Sequence, residues 1–271
     1  MHQNLDAWCT LPHLCCPPIV RSSLLLLPLL LVLPAGAAPF TAVRNGESFT
    51  YKVGFAIFSN AGSIEISGQD EASGGKDLIR VTVDTRSRGF VRGVYEFDNK
   101  AEAVIEKPTS RLLSVHERGA DPKRATDSDF VIDYEKRVAT YTDRVRTERT
   151  REIPLPEGSD PIDLISALMQ TRDWNLKPGE KRNLVVQFTR DLYAITIKAE
   201  GYETVTTPLG KYKTLVLVPV MEKNPKGLFA RGGQIKVWIS QDQDRLPVKM
   251  QLQLKFGNAT LNLTEHKTAK P

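Results

Sequence analysis

The sequence predicts an all-β domain, a curved antiparallel sheet or partly open β-barrel with one α-helix packed against it. Apolar residues recur at every second position in many short runs. Clusters of Gly, Pro, Asn and Asp separate those runs, as in sheets with one dry and one wet face. A single segment instead carries apolar residues at helical spacing.

Near the N-terminus, Arg21 is followed by the apolar run Leu24 to Leu33 and the small residues Ala35-Gly36-Ala37. That order reads as a secretory signal over residues 1–37, followed by a single β-rich domain over 38–271. The apolar run is about ten residues, too short for a bilayer that needs roughly 20. An uncleaved N-terminal anchor is the alternative. Cys9, Cys15 and Cys16 all precede the expected cut, so the mature chain would hold neither disulfide nor thiol nucleophile.

In the domain, Phe49, Tyr51, Val53, Phe55 and Ile57 share one face of a first strand. Ile64 and Ile66 mark a second, and Ile79, Val81 and Val83 a third. Phe130, Ile132 and Tyr134 follow, then Leu184, Val186 and Phe188, then Ile195 and Ile197. Turns are expected at Asn60–Gly62, Ser73–Gly75, Asp121-Pro122, Lys177–Gly179 and Gly257-Asn258. The helix falls in GSDPIDLISALMQTRDW, with Asp160 as N-cap, Pro161 at the first helical position and Asp163 in the first turn. Its stripe of Leu164, Ile165, Leu168 and Met169 would face the concave side of the sheet, either as ordinary core or as the wall of an apolar ligand site.

The stretch VWISQDQDRLPVKMQL, from Val237, contains Asp242 and Asp244. Alternation stops before these two residues and resumes after them: Ile235, Val237 and Ile239 on one strand, Val248, Met250, Leu252, Leu254 and Phe256 on the next. The pair therefore reads as a hairpin turn, where Asp bonds neighbouring N–H groups. A calcium loop would need more oxygen ligands.

Other candidates carry little chemistry. His116 and Glu117 point to opposite faces of a strand, His116 toward solvent. No G-x-S-x-G elbow or nucleotide loop occurs. His116 and His266 alone follow the expected cut, too few for a three-histidine zinc site. The residues point to no catalytic group, no metal and no cofactor. Net charge is +5. Arg144, Arg146, Arg149 and Arg151, read as pairs on extended strand, form a candidate contact for an anionic surface or acidic partner. Arg86, Arg88 and Arg92 add to it. The glycine-rich loop Asn224–Gln234 carries Leu228 and Phe229 at its tip. Asn258 and Asn262 match glycosylation acceptors and read as strand residues. No nucleic-acid signature is present, and the sequence leaves the oligomeric state open.

The stretches GESFTYKVGF, TRSRGF, DPIDLISALMQTR, TPLGKYKT and VWIS with DRLPV, in this order, resemble the bacterial exported-protein family known as domain of unknown function 3108. That resemblance implies no activity. The closing hairpin is also similar to that of periplasmic lipoprotein carriers, which implies an unclosed barrel able to hold acyl chains. Together these readings lead to a non-enzymatic protein of the bacterial periplasm or envelope that binds a lipid, an acyl chain or an apolar partner segment. A structural or assembly factor using the basic face and a hydrolase of envelope polymers are the alternatives.

Overall fold

The computed structural model describes residues 38–223, 225, 229, 234–254 and 257–269. The expected signal segment and most of the Asn224–Gln234 loop, with Leu228, lie outside the described residues. The first arm holds β1 (Ser48–Phe55), β2 (Phe58–Ser73), β3 (Lys76–Ser87), β4 (Asp98–Glu106), β5 (Arg111–Asp121), β6 (Arg124–Asp133), β7 (Val138–Asp143) and β8 (Arg151–Pro154). The second holds β9 (Ile162–Asp163), β10 (Lys181–Phe188), β11 (Asp191–Thr207), β12 (Gly210–Val220), β13 (Gln234–Ser240), β14 (Pro247–Leu254) and β15 (Gly257–Lys267). Helix α1 (Gly89–Val94) joins β3 to β4, and α2 (Leu164–Gln170) follows β9.

All fifteen strands form one sheet in which β1 pairs with β15 at the centre and each arm meanders outward, ending at β8 and β9. Every pairing is antiparallel except β9 with β10. The two edges do not pair as strands; instead the Arg151 guanidinium at the start of β8 forms an ion pair with Asp191 and donates to the Arg190 carbonyl (3.1 Å). The fold is thus the expected partly open barrel, fastened across its split by side chains.

The inward positions of the alternating strands make one continuous core spanning both arms. Phe49, Tyr51, Ile66, Ile79, Ile105, Leu112, Phe130 and Leu263 are essentially without exposure. Met169 of α2 is equally buried, and Leu164, Ile165 and Leu168 pack partly buried against the same cluster. Tyr51 donates its hydroxyl hydrogen to the Pro247 carbonyl (3.0 Å), which keeps that polar atom partnered in the core.

Several local expectations are corrected. The N-cap of α2 is Asp163, not Asp160; its Oδ1 accepts from the N–H groups of Ile165 (3.0 Å) and Ser166 (2.9 Å). The helix starts later because Ile162 and Asp163 are held extended beside Val186 and Gln187 of β10. Asp160 pairs with Arg111 and Arg137 instead. Asn60–Gly62 is strand, not turn: a Cβ on Gly62 would stand 2.8 Å from the Arg86 carbonyl oxygen, so the glycine permits close strand approach. Ile57 lies in the β1–β2 turn rather than on β1, and Trp238 is buried although it leaves the face of Val237 and Ile239. Its indole N–H donates to Glu203 (2.8 Å) and Lys249 lies over its ring (4.8 Å). The Arg144–Thr150 segment is a connection, not a strand, because Asp143 Oδ1 accepts from the N–H groups of Val145 and Arg146 and turns the chain.

Candidate functional site

The strand registers bring the β1–β2, β3–β4, β5–β6, β7–β8, β10–β11 and β14–β15 connections to one end of the barrel. Helix α1 stands there. Gly89 opens it at φ 55°, a conformation that favours glycine, and a Cβ there would meet the Asn60 carbonyl oxygen at 2.8 Å. The helix buries none of its residues. Phe90 is 70% and Val94 71% exposed. The Phe90 ring stacks on Phe58 of β2 (centroids 5.4 Å apart), which anchors α1 while leaving its outer face in water.

Beside α1 lies a concavity of about 730 Å³ lined by five basic side chains, among them Arg86, Arg88 and Arg92, and by the acidic Asp84 and Asp98. Arg92 is already engaged: it donates to both carboxylate oxygens of Asp98 (3.1 and 2.9 Å) and to Glu96 (2.6 Å). Arg88 donates to the neutral Ser63 hydroxyl (3.0 Å). Neither Arg86 nor Arg88 forms an ion pair among the described residues. The Asp98 carboxyl is held below the usual range chiefly by its hydrogen bond from Arg92; burial opposes this, and the charges of Arg92, Arg86 and Arg88 add to the lowering. The concavity therefore keeps positive charge that its own carboxylates do not neutralise.

The other candidates fall elsewhere. Arg144 pairs with Asp127 (2.9 Å) and Asp129, Arg146 with Asp143 (3.2 Å), Arg149 with Glu148 (3.7 Å) and Arg151 with Asp191. These four charges are largely spent within the protein. His116 is on the outer wall as expected but only partly exposed, its Nδ1 2.7 Å from Asp129. Asp242 and Asp244 occupy the β13–β14 connection as expected; Asp242 Oδ1 accepts from the Ser240 hydroxyl (2.6 Å) and the Arg245 N–H (3.1 Å). Leu164, Ile165, Leu168 and Met169 are together on α2, away from the α1 concavity.

Residues 50–264 match the model of DUF3108, a protein family of unknown function. The chain belongs to that family. No curated protein gives a significant match. This DUF3108 chain superposes on the β-barrel-like DUF1849 protein of Brucella abortus with a TM-score of 0.52 at 8% identity, covering 84% of this chain and 100% of that one. That likeness is one of fold. Weaker likenesses hold to a protein with a YmcC-like fold from Bacteroides fragilis, inferred to be exported (TM-score 0.35, 11% identity, 86% and 100% coverage), and to an inferred lipoprotein from Parabacteroides distasonis (0.33, 11%, 85% and 99%).

Sequence reasoning singled out Arg86, Arg88 and Arg92 but not α1. Its six residues are too few to show a helical period. The available signal was the pair of glycines, Gly89 and Gly93, around two large apolar residues in an otherwise polar stretch.

Proposed function

We propose that this DUF3108 protein is a non-enzymatic protein of the bacterial envelope that binds an amphiphilic partner at the α1 end of the split barrel. The partner has an apolar part and a negative group. One observation carries the reading: the largely exposed Phe90 and Val94 share a short helix with Arg92, whose side chain lines the basic concavity. Burying each apolar side chain is worth about 1.5–3 kcal/mol, which a partner would recover. The stripe of Leu164, Ile165, Leu168 and Met169 supports an interior ligand less well, because those side chains already pack on the core.

Titration with monomeric short-chain phosphatidylglycerol, followed by backbone amide shifts, tests the reading. Shifts concentrated at residues 57 and 86–95 are expected. Val94→Asp should weaken binding about tenfold, the worth of roughly 1.4 kcal/mol, and Leu168→Trp should leave it unchanged. Shifts confined to α2 and the inner strands would move the site to the interior; no binding would overturn the proposal. Export belongs to the same proposal, with a mature N-terminus at Ala38 or Pro39; native protein retaining Met1 would count against it.

A further inference from the structure

The α1 helix is one part of a wider pattern at its end of the barrel. Nine large apolar side chains are exposed among the described residues, and six of them, Ile57, Phe90, Val94, Tyr95, Val145 and Phe188, lie on connections or strand tips at this end. They come from four separate connections. The β1–β2 turn illustrates how they are presented. Ala56 takes a left-handed conformation (φ 49°), and its N–H donates to the Asn258 carbonyl (3.2 Å). That fixed turn leaves Ile57 89% exposed. The remaining three, Val131, Tyr202 and Leu209, lie elsewhere.

Separate apolar tips with unneutralised arginines between them suit one kind of partner. A protein partner is favoured by a contiguous packed patch with a polar rim. A bilayer surface instead accepts scattered apolar tips at the headgroup level and attracts cations to its phosphates. Resting on the amphiphile-binding reading above, we infer that this end of the barrel docks on the surface of an anionic phospholipid bilayer. Ile57, Phe90 and Val94 enter the headgroup layer, and Arg86 and Arg88 meet lipid phosphates in the concavity.

The long axis of the strands then stands away from the bilayer. The opposite end, which holds the β13–β14 turn and the segments before β1 and after β15, faces the aqueous compartment. Arg92 plays a positioning part. Its ion pairs with Glu96 and Asp98 hold α1 beside the concavity, so its own charge is not the one offered to lipid.

Cosedimentation with vesicles tests the inference on the full mature chain. Vesicles of phosphatidylcholine containing about one-third phosphatidylglycerol, enough to make the surface strongly anionic, should carry the protein down at about 0.1 M salt. Release is expected at about 0.5 M, where the screening length falls to a few ångströms. Pure phosphatidylcholine should carry down much less. Arg86→Gln and Arg88→Gln should each weaken partitioning about fivefold, the worth of one cation near such a surface. Phe90→Ser should weaken it and also lose the stack on Phe58, whereas Val94→Ser should weaken it without changing thermal unfolding, since that side chain is largely in water. Equal binding to both vesicle types, or wild-type binding by the arginine and Phe90 variants, would overturn the inference. So would release by inorganic phosphate at matched ionic strength, which would mark a site for a free anion. If short-chain lipid binds and vesicles do not, bilayer docking falls while amphiphile binding stands; if neither binds, both fall.

Discussion

Arg172 and Glu47 form a buried ion pair, with Arg172 Nη2 3.0 Å from Glu47 Oε1. The same Oε1 lies 2.9 Å from His266 Nε2, and the Arg172 guanidinium sits over the Phe49 ring (5.0 Å). Arg172 also donates to the carbonyls of Ala42 (2.6 Å) and Asp244 (3.3 Å). One guanidinium thus ties the chain before β1, the end of α2 and the β13–β14 turn. Burial pushes the Glu47 carboxyl up, but the hydrogen bond and charge of Arg172, with hydrogen bonds from His266 and the Arg44 N–H, bring it below its ordinary value.

Removing one partner strands the other charge in the interior. Arg172→Met should cost about 3–5 kcal/mol of unfolding free energy, read by urea denaturation. Glu47→Gln keeps the shape and should cost less. Because the Glu47 value is depressed on folding, its stabilisation is present above the unfolded pKa of about 4 and is lost as pH falls through the folded value. The cost of Glu47→Gln should therefore shrink on acidification below that pH. A cost independent of pH would show that the pair is electrostatically idle.

Asp163 is the opposite case. Burial raises its carboxyl, outweighing its hydrogen bonds with Ser166 and Ile165. Its Oδ2 and the Ser166 hydroxyl are both buried without a hydrogen-bond partner among the described residues. A raised carboxyl stabilises the fold fully below its unfolded pKa, and that contribution disappears as pH rises through the folded value. Asp163→Asn retains the capping oxygen without titrating, so its stability relative to wild type should increase as pH rises from about 4 toward 7. Asp163→Ala should lose the cap, at about 1 kcal/mol. Urea unfolding across that range decides the matter; parallel curves for Asn and wild type would refute it.

The acidic turn separates two residues that look alike in sequence. Asp242 bonds Ser240 and Arg245, whereas the Asp244 carboxylate has no hydrogen-bond or ion-pair partner among the described residues. Asp244→Asn should change stability by less than about 0.5 kcal/mol, as at most surface sites. Asp242→Ala should cost about 1 kcal/mol, one hydrogen-bonded turn, and Asp242→Asn less. Thermal unfolding reads all three, and a large loss in the Asp244 variant would reveal a role beyond the turn.

Across the split, Arg151 and Asp191 are both partly exposed. Such a pair contributes at most about 1 kcal/mol to global stability. Its effect should be local: Asp191→Asn is expected to speed hydrogen exchange in β8 and the β10–β11 turn while leaving the midpoint of urea unfolding nearly fixed. Unchanged exchange there would mean that packing alone closes the seam.

Much of this arrangement was legible in the sequence because period-two patterning is a local signal. Val237 and Ile239 against Val248 and Met250 announced a hairpin, and the pairing is Val237 with Met250. Illegible features depended on distant neighbours. Asp160-Pro161 has every local mark of a helix start, yet the parallel pairing of Ile162 with Val186 moves that start downstream. Gly62 looked like punctuation because its neighbour, Arg86, is far along the chain. The candidate site was hidden for a related reason. Ile57 and Phe188 continue the alternation of their strands and Phe90 falls in a helix too short to show a period, so only the strand registers reveal that all three gather at one end.

The central pairing of β1 with β15 sets the order in which the protein becomes complete. A chain delivered from its N-terminus presents β1 early, but one side of that strand stays unpaired until the final segment arrives; Glu47 meets His266 across 219 positions. Contacts this distant make assembly slow, and an open strand edge invites pairing with other chains in the interval. The last strand therefore acts as a completeness check. A product truncated within β15 would leave a gap in the middle of the sheet, and its two arms would be joined by connections but not by a ladder.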